Sequence, residues 1–254
     1  MPWDPKIYLS FAAERTRPAA ELLARIASEN PAQVADLGCG PGNSTALLAA
    51  RWPDAEVEGI DSSPEMIEKA RASGVRAHWT LADIAAWRPG QRYDVVFSNA
   101  TYQWLPDHVA LLPRLMHATA PGGIYAFQVP NNFDSPSHAL MRAVGADGPW
   151  AAKLANVRNI GVLAPAAYYG ILAPHSATID IWETEYLQVL DGEDPVYRWV
   201  SATGLRPFTD ALEGGEREDF TAAFQAALRK AYPKERDGKT LFPFRRLFAV
   251  ARMR

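Results

Sequence analysis

The sequence predicts an α/β protein built on a doubly wound, mostly parallel sheet. Strand and helix patterns alternate along the first 130 residues, which is typical of βαβ units. A glycine-rich turn follows the first strand pattern and precedes a helix pattern, and such a turn brings backbone N–H groups close to a bound ligand. Two more strand patterns lie in the second half of the chain, so we expect the sheet to be completed from there.

The individual elements follow from apolar spacing and from the turn residues between them. Ser63 before Pro64 is a suitable N-cap with a first-turn proline. Short apolar runs predict strands near 33–37, 56–60, 75–81, 93–98, 122–129, 177–189 and 246–252. Helices are expected near 17–28, 44–51, 64–72, 107–118 and within 194–231, and residues 131–175 are expected to form helical segments and loops.

Composition and charge exclude several classes of function. The 254 residues are 48% hydrophobic and 22% charged, which suits one globular domain with a cap. A net charge of −3 disfavours a general nucleic-acid-binding protein. Cys39 is the single cysteine, so no internal disulfide can form and a reducing, cytoplasmic location is expected. No apolar run is long enough to span a membrane, and the five histidines lack metal-ligand spacing, so we expect neither a membrane partner nor a metal.

The glycine turn after the first strand gives the strongest functional indication. Glycines stand at Gly38, Gly40 and Gly42, and Asp36 comes shortly before them. A dinucleotide-binding loop has the spacing G-x-G-x-x-G, and here Asn43 occupies the place of its third glycine. The spacing therefore argues against a nicotinamide-dependent oxidoreductase, while a purely structural tight turn stays open on this loop alone.

Polar side chains also follow the next strands, where ligands collect in open α/β sheets. Asp61 ends the second strand, and its carboxylate can accept both hydroxyls of a ribose; a helix N-cap role is the alternative. Asp83 and Ile84 follow the third strand, and Asn99 and Ala100 follow the fourth. These positions share the edge of the predicted sheet that also carries the glycine turn.

In their order and positions, these segments resemble the class I S-adenosylmethionine-dependent methyltransferases. The resemblance implies a Rossmann-like sheet of seven strands with an antiparallel last strand and a helical cap. It also implies S-adenosyl-L-methionine as cofactor and S-adenosyl-L-homocysteine as product. Residues 30–130 would form the cofactor-binding half of a single domain, and the insertions 131–175 and 194–240 would form the cap on the substrate side.

The same resemblance assigns roles to particular cofactor residues. The glycine loop would lie beside the methionine part, Asp83 and Ile84 would bind the adenine, and Asn99 with Ala100 would lie near the methyl group. Met66 would pack on the adenine or belong to the core. The full implied set is Asp36, Gly38, Gly40, Gly42, Asn43, Asp61, Ser62, Met66, Asp83, Ile84, Asn99 and Ala100.

Three further stretches resemble small-molecule carboxyl methyltransferases, among them enzymes that act on trans-aconitate. They are Tyr8 to Pro18, Asn99 to Asp107, and Trp199 to Pro207. Arginine suits the carboxylates of such a substrate, because its planar fork binds a carboxylate at two points. The implied substrate residues are Arg206, in an expected non-helical turn, Arg17, Arg15, Tyr8, Tyr168, and Gln103 and Trp104 as positioning residues, with Arg245 and Arg246 after them.

The resemblance implies transfer of a methyl group to a carboxylate of trans-aconitate or a closely related small polycarboxylate, giving a monomethyl ester. A carboxylate is already ionised at neutral pH, so no catalytic acid or base is expected from the side chains. The alternatives are another small acid or a malonyl carrier-protein thioester as substrate, and a cofactor sensor without catalytic activity.

Overall fold

The computed structural model describes residues 12–157, 161–201 and 203–254, with side chains from residue 16 onward. Within these residues, seven strands form one sheet in the order β3-β2-β1-β4-β5-β7-β6. The strands are β1 Gln33–Leu37, β2 Glu56–Asp61, β3 His78–Leu81, β4 Tyr93–Asn99, β5 Thr119–Pro130, β6 Ser176–Leu190 and β7 Thr240–Met253. The expected strands are thus present, with β3 shorter than predicted and β7 longer.

Helices fill the connections between these strands. They are α1 Ala12–Ala24, α2 Asn43–Arg51, α3 Pro64–Ala72, α4 His108–Met116, α5 Pro136–Ala146, α6 Ala151–Leu154, α7 Pro165–Leu172, α8 Pro195–Ser201, α9 Arg206–Asp210 and α10 Gly214–Ala231. Short 3-10 turns lie at Tyr102–Trp104 and Ala173–His175. None of the helices in the described ranges combines the length and the apolar character that crossing a membrane requires.

One expected local conformation is wrong. Arg206 was expected in a non-helical turn because Gly204 and Pro207 flank it, but it is the first residue of the helix α9. Proline has its backbone preset for the first helical turn and needs no hydrogen-bonded N–H there, so Pro207 favours the start of a helix at this point.

The strand order places the expected ligand-binding edge at the sheet centre. β1 pairs in parallel with β2 on one side and with β4 on the other, so the strand order reverses at β1. Ligands of open α/β sheets bind outside the carboxyl ends of strands at such a reversal. β7 runs antiparallel to β5, with Arg246 opposite Pro130 and Arg252 opposite Ile124. The antiparallel strand of the predicted sheet is therefore confirmed.

The described chain divides into two compact units, each with its own core. The sheet unit contains Arg15–Pro130, Val162–Thr184 and Arg246–Arg254, and the second unit is mainly Asn131–Gly161 and Glu185–Arg245. Large buried residues of the sheet unit include Leu37, Ile60, Val96, Tyr102, Tyr125, Phe127 and Tyr168. The second unit has a core rich in aromatic side chains, among them Trp150, Trp199, Phe208, Phe220, Phe224 and Phe242.

Candidate active site

A buried carboxylate supports the glycine loop between β1 and α2. Asp36 belongs to β1, and its side chain is fully buried. Its Oδ2 accepts hydrogen bonds from Ser44 Oγ and Thr45 Oγ1, each at 2.7 Å. Burial raises the pKa of Asp36 to about 6, although the two hydroxyl donors favour the charged form. The carboxylate thus ties the end of β1 to the first turn of α2 and fixes the loop between them.

One side chain from β3 and one from the loop after β4 explain the outer glycines of the loop. A Cβ atom on Gly38 would lie 2.2 Å from the side chain of Thr101, and one on Gly42 would lie 2.8 Å from Trp79. Both glycines have positive φ angles, 74° and 94°, which other residues rarely adopt. Around the Cβ position of Gly40, by contrast, no atom of the described residues lies within 4 Å, apart from its two neighbours in the chain. Gly38 and Gly42 therefore permit close packing, while Gly40 leaves room for a ligand.

Asp61 ends β2 and holds two backbone N–H groups. Its Oδ2 accepts from Gly40 N–H at 2.9 Å and its Oδ1 accepts from Ser63 N–H at 2.8 Å. A carboxylate oxygen can accept more than one hydrogen bond, so capacity for two hydroxyl donors remains. The N-cap of α3 is Ser63, whose Oγ accepts from Met66 N–H at 3.3 Å. The capping role thus belongs to Ser63, and the ribose contact of Asp61 stays a prediction.

The loop after β3 carries Asp83 and Ile84 and is held by a distant arginine. Asp83 is exposed, and its Oδ1 accepts from Ala85 N–H at 2.8 Å, whereas Ile84 is buried. Arg114 of α4 donates from Nη1 to the carbonyl of Trp87 at 2.8 Å. Its Nη2 donates to the carbonyls of Ile84 and Ala85, at 3.1 and 2.6 Å. Arg114 therefore sets the position of the predicted adenine-binding loop.

The loop after β4 has an uncommon backbone conformation at the predicted methyl position. Ala100 has a φ of 53°, which is unfavourable for a residue with a Cβ atom. Its N–H donates to the carbonyl of Gln128 at 2.9 Å, and its carbonyl accepts from Gln103 Nε2 at 2.6 Å. Asn99 Oδ1 accepts from Gln128 Nε2 at 2.7 Å. Trp104 is 41% exposed and is therefore not a core residue.

Two buried acceptor atoms at this edge lack a hydrogen-bond partner among the described residues. They are Asp36 Oδ1 and Gln103 Oε1. A buried acceptor without a donor costs about 1–3 kcal/mol, so a bound group that donates hydrogen bonds is favoured here. The ammonium group of an amino acid is such a donor, and its positive charge suits the carboxylate of Asp36. The residues present therefore fit S-adenosyl-L-methionine, whose amino acid part carries that ammonium group.

The structure places two of the predicted substrate arginines in ion pairs. Arg206 Nη2 lies 4.0 Å from Asp210 within α9, and the arginine side chain is 47% exposed. Arg17 Nε lies 2.8 Å from Glu21 Oε1 within α1, with its side chain 65% exposed. Exposed pairs of this kind contribute little to stability, so the guanidinium of Arg206 can exchange Asp210 for a ligand at small cost. Their substrate contacts stay predictions.

Three other predicted substrate residues are outside the described side chains or inside the core. Tyr8 and the side chain of Arg15 lie outside the described residues. Tyr168 is fully buried, and its hydroxyl lies 2.9 Å from His108 Nδ1. His108 Nε2 lies 2.7 Å from the carbonyl of Tyr102, which can only accept, so Nε2 donates this hydrogen bond. Tyr168 is thereby engaged in holding the turn that leads to Gln103.

The sequence did not indicate several residues that shape this edge. Thr101 lies within the Asn99-to-Trp104 stretch, where its position next to the predicted methyl site could have drawn attention to it. Trp79, Arg114 and Gln128 act on loops far from them in the sequence. No local pattern carries such contacts, because they depend on strand order and register.

Relatives by sequence span nearly the whole chain. A family model described as "Methyltransferase domain" matches residues 34–123. A protein of Azoarcus sp. (strain BH72) named trans-aconitate 2-methyltransferase is 51% identical over 250 residues, which cover 98% of each chain. A protein of the same name from Methylobacterium radiotolerans is 52% identical over 254 residues, again covering 98% of each chain.

Solved structures with low sequence identity share the fold. The YcgJ protein of Bacillus subtilis matches with a TM-score of 0.62 at 12% identity, over 94% of this chain and 98% of that one. The plantazolicin methyltransferase BamL, solved with S-adenosylhomocysteine and a triazolic desmethylPZN analog, matches with a TM-score of 0.53 at 14% identity. That match covers 98% of this chain and 90% of the BamL chain. Both likenesses support the seven-stranded architecture of the sheet.

Proposed function

The chain belongs to the family of S-adenosyl-L-methionine-dependent methyltransferases that includes the trans-aconitate 2-methyltransferases, and we propose that it methylates a carboxylate of trans-aconitate or of a closely related small polycarboxylate. The product is a monomethyl ester together with S-adenosyl-L-homocysteine. The observation that carries the proposal is a pair of buried acceptors, Asp36 Oδ1 and Gln103 Oε1, beside the glycine loop and the loop after β4. Neither atom has a donor among the residues that the structure describes.

We assign the cofactor contacts to residues of the sheet unit. Asp36 and Gln103 accept from the ammonium group, and Asp61 accepts from the ribose hydroxyls. The loop of Asp83 and Ile84 binds the adenine, and Gly40 provides room for the methionine part. When bound, S-adenosyl-L-methionine supplies an electrophilic methyl group on a sulfonium. Residues 131–175 and 194–240 are assigned to the substrate side. We assign the protein to the reducing cytoplasm, which suits its single cysteine, the buried and unpaired Cys39.

The chain's own task in this reaction is to position the substrate. A carboxylate is ionised at neutral pH, so no side chain has to remove a proton. Alignment of the attacking oxygen with the methyl carbon and the sulfur then contributes most of the acceleration. The loop from Asn99 to Gln103 is suited to this task, because hydrogen bonds fix its position. Two of them join the loop to Gln128, and one joins the Gln103 side chain to the carbonyl of Ala100. Exclusion of water also favours the step, because the two opposite charges neutralise each other.

Labelled methyl transfer tests the proposal directly. The full chain is incubated with S-adenosyl-L-methionine labelled in the methyl group and with a panel of mono-, di- and tricarboxylic acids. We expect label in an alkali-labile ester of a polycarboxylate, with trans-aconitate among the best substrates. Transfer only to a malonyl carrier-protein thioester would move the substrate to that alternative. Binding of the cofactor without transfer to any acid of the panel would refute the proposed function.

A further inference from the structure

A row of three hydrogen-bonded side chains crosses the carboxyl edge of the sheet beside the predicted methyl position. Arg246 Nη1 of β7 donates to Gln128 Oε1 of β5 at 3.0 Å. Gln128 Nε2 donates in turn to Asn99 Oδ1 of β4 at 2.7 Å. The three strands are neighbours in the order β4-β5-β7, so the row leads directly from the arginine to the loop at which we place the methyl group.

Burial and register set Arg246 apart from the arginine next to it. Arg246 is 6% exposed and Gln128 is fully buried, whereas Arg245 points its side chain to solvent. Arg246 lies opposite Pro130, the last residue of β5, which places it at the carboxyl edge. The planar guanidinium of an arginine can engage a carboxylate at two points, so an arginine at a ligand-binding edge suits an anionic ligand.

Other cations of the sheet unit serve different places. Arg252 lies opposite Ile124, in the first half of β5, and donates to the carbonyls of Gly122 and Ala27. Arg114 donates to the loop after β3. Among the side chains that the structure describes in this unit, Arg246 is the cation hydrogen-bonded into the row that ends at Asn99.

We propose that Arg246, held by Gln128, binds a substrate carboxylate that is not methylated and so selects for polycarboxylic acids. The inference rests on the proposed function and identifies how its substrate class is chosen. A guanidinium engages a carboxylate at two points and draws electron density from both oxygens, which would weaken a nucleophile. The arginine therefore suits the anchoring carboxylate, and the reacting one is left to the loop from Asn99 to Gln103. Because Gln128 fixes the guanidinium in advance, little side-chain freedom is lost on binding.

The test compares acids that differ in the number of carboxylates. For wild type, Arg246→Gln and Arg246→Lys, kcat/KM is measured with trans-aconitate and with an unsaturated acid that keeps one carboxylate. An acid that is not methylated is measured by its inhibition constant instead. For Arg246→Gln we expect a loss of about 30- to 1,000-fold with trans-aconitate, the range seen when one member of a buried charge pair is removed. The one-carboxylate acid should change less than about threefold, and Arg246→Lys should recover part of the loss.

Two arginines of the same strand provide matched comparisons. Arg252→Gln removes a cation from the other end of β7 and should leave the preference for polycarboxylates unchanged. Arg245→Gln removes the exposed charge next to Arg246, so it distinguishes the effect of the buried arginine from that of its neighbour. The affinity for S-adenosyl-L-homocysteine and the rise in Tm that it causes should stay close to wild type in the Arg246 variants. Should Arg246→Gln fail to fold, Gln128→Met keeps the guanidinium and removes its support, and the same selective loss is expected, at about 3- to 30-fold.

Several outcomes would overturn the inference. If Arg246→Gln loses activity equally with all acids, Arg246 is a structural residue. If Arg246→Gln keeps wild-type kinetics, or if Arg245→Gln shows the selective loss instead, Arg246 does not belong to the substrate site. If the wild-type chain methylates no acid, the proposed function fails and the inference fails with it. If the wild type is active while Arg246→Gln and Gln128→Met keep its selectivity, only the inference fails.

Discussion

Asp36→Asn should remove part of the pH dependence of stability in the cofactor-free protein. Burial raises the pKa of Asp36 from 3.8 to about 6, so the folded state holds a proton that the unfolded chain has released between these values. Where the folded state binds more protons, stability falls as pH rises. A pKa shift from 3.8 to about 6 corresponds to a loss of about 3 kcal/mol in the free energy of unfolding. This loss is absent below pH 4 and complete above pH 6.

Denaturant unfolding of wild type and Asp36→Asn from pH 4 to 7 measures this effect. Groups other than Asp36 titrate alike in both proteins, so they cancel in the difference. The asparagine keeps an acceptor for the hydroxyl groups of Ser44 and Thr45. As pH rises, the free energy of unfolding of the variant should increase relative to that of the wild type by up to about 3 kcal/mol. A difference that stays constant within about 0.5 kcal/mol, or that changes with the opposite sign, would refute the reasoning from burial.

Further predictions concern the ribose contact, the metal requirement, the second unit and the loop after β4. Asp61→Ala should weaken S-adenosyl-L-homocysteine binding by about 1.5–3 kcal/mol in calorimetry, and unchanged affinity would remove Asp61 from the site. Full activity is expected in excess chelator, because the nucleophile needs no deprotonation; an activity lost there and restored by a divalent ion would contradict this. Arg206→Ala should lower kcat/KM for the polycarboxylate by about 2–4 kcal/mol and leave cofactor affinity unchanged, whereas a lower Tm with normal kinetics would mark it as structural. Ala100→Gly should raise stability by up to about 1 kcal/mol, since glycine adopts a φ of 53° freely, and Ala100→Val should lower the Tm.

The strand pattern was predictable because it depends on local features. Apolar runs ending at Leu37, Ile60 and Ser98 mark strands whose ends the structure places within a residue or two. The N-cap at Ser63 was found by the same local rule and is confirmed by its hydrogen bond to Met66 N–H. The non-helical turn predicted at Arg206 is wrong, because a glycine and a proline beside this residue suit both a loop and the first turn of a helix.

The cofactor side of the site was easier to predict than the substrate side for a physical reason. The proposed cofactor contacts lie at the carboxyl ends of strands or in the loops that follow them, so strand prediction alone brings them to the right edge of the sheet. Arg246 reaches this edge only because β7 pairs antiparallel with β5 in one register. A shift by one residue would turn Arg245 inward and Arg246 to solvent, since neighbouring residues of a strand face opposite sides. The two arginines look equivalent in the sequence, and the pairing of Arg246 with Pro130 is what makes one of them a candidate for substrate selection.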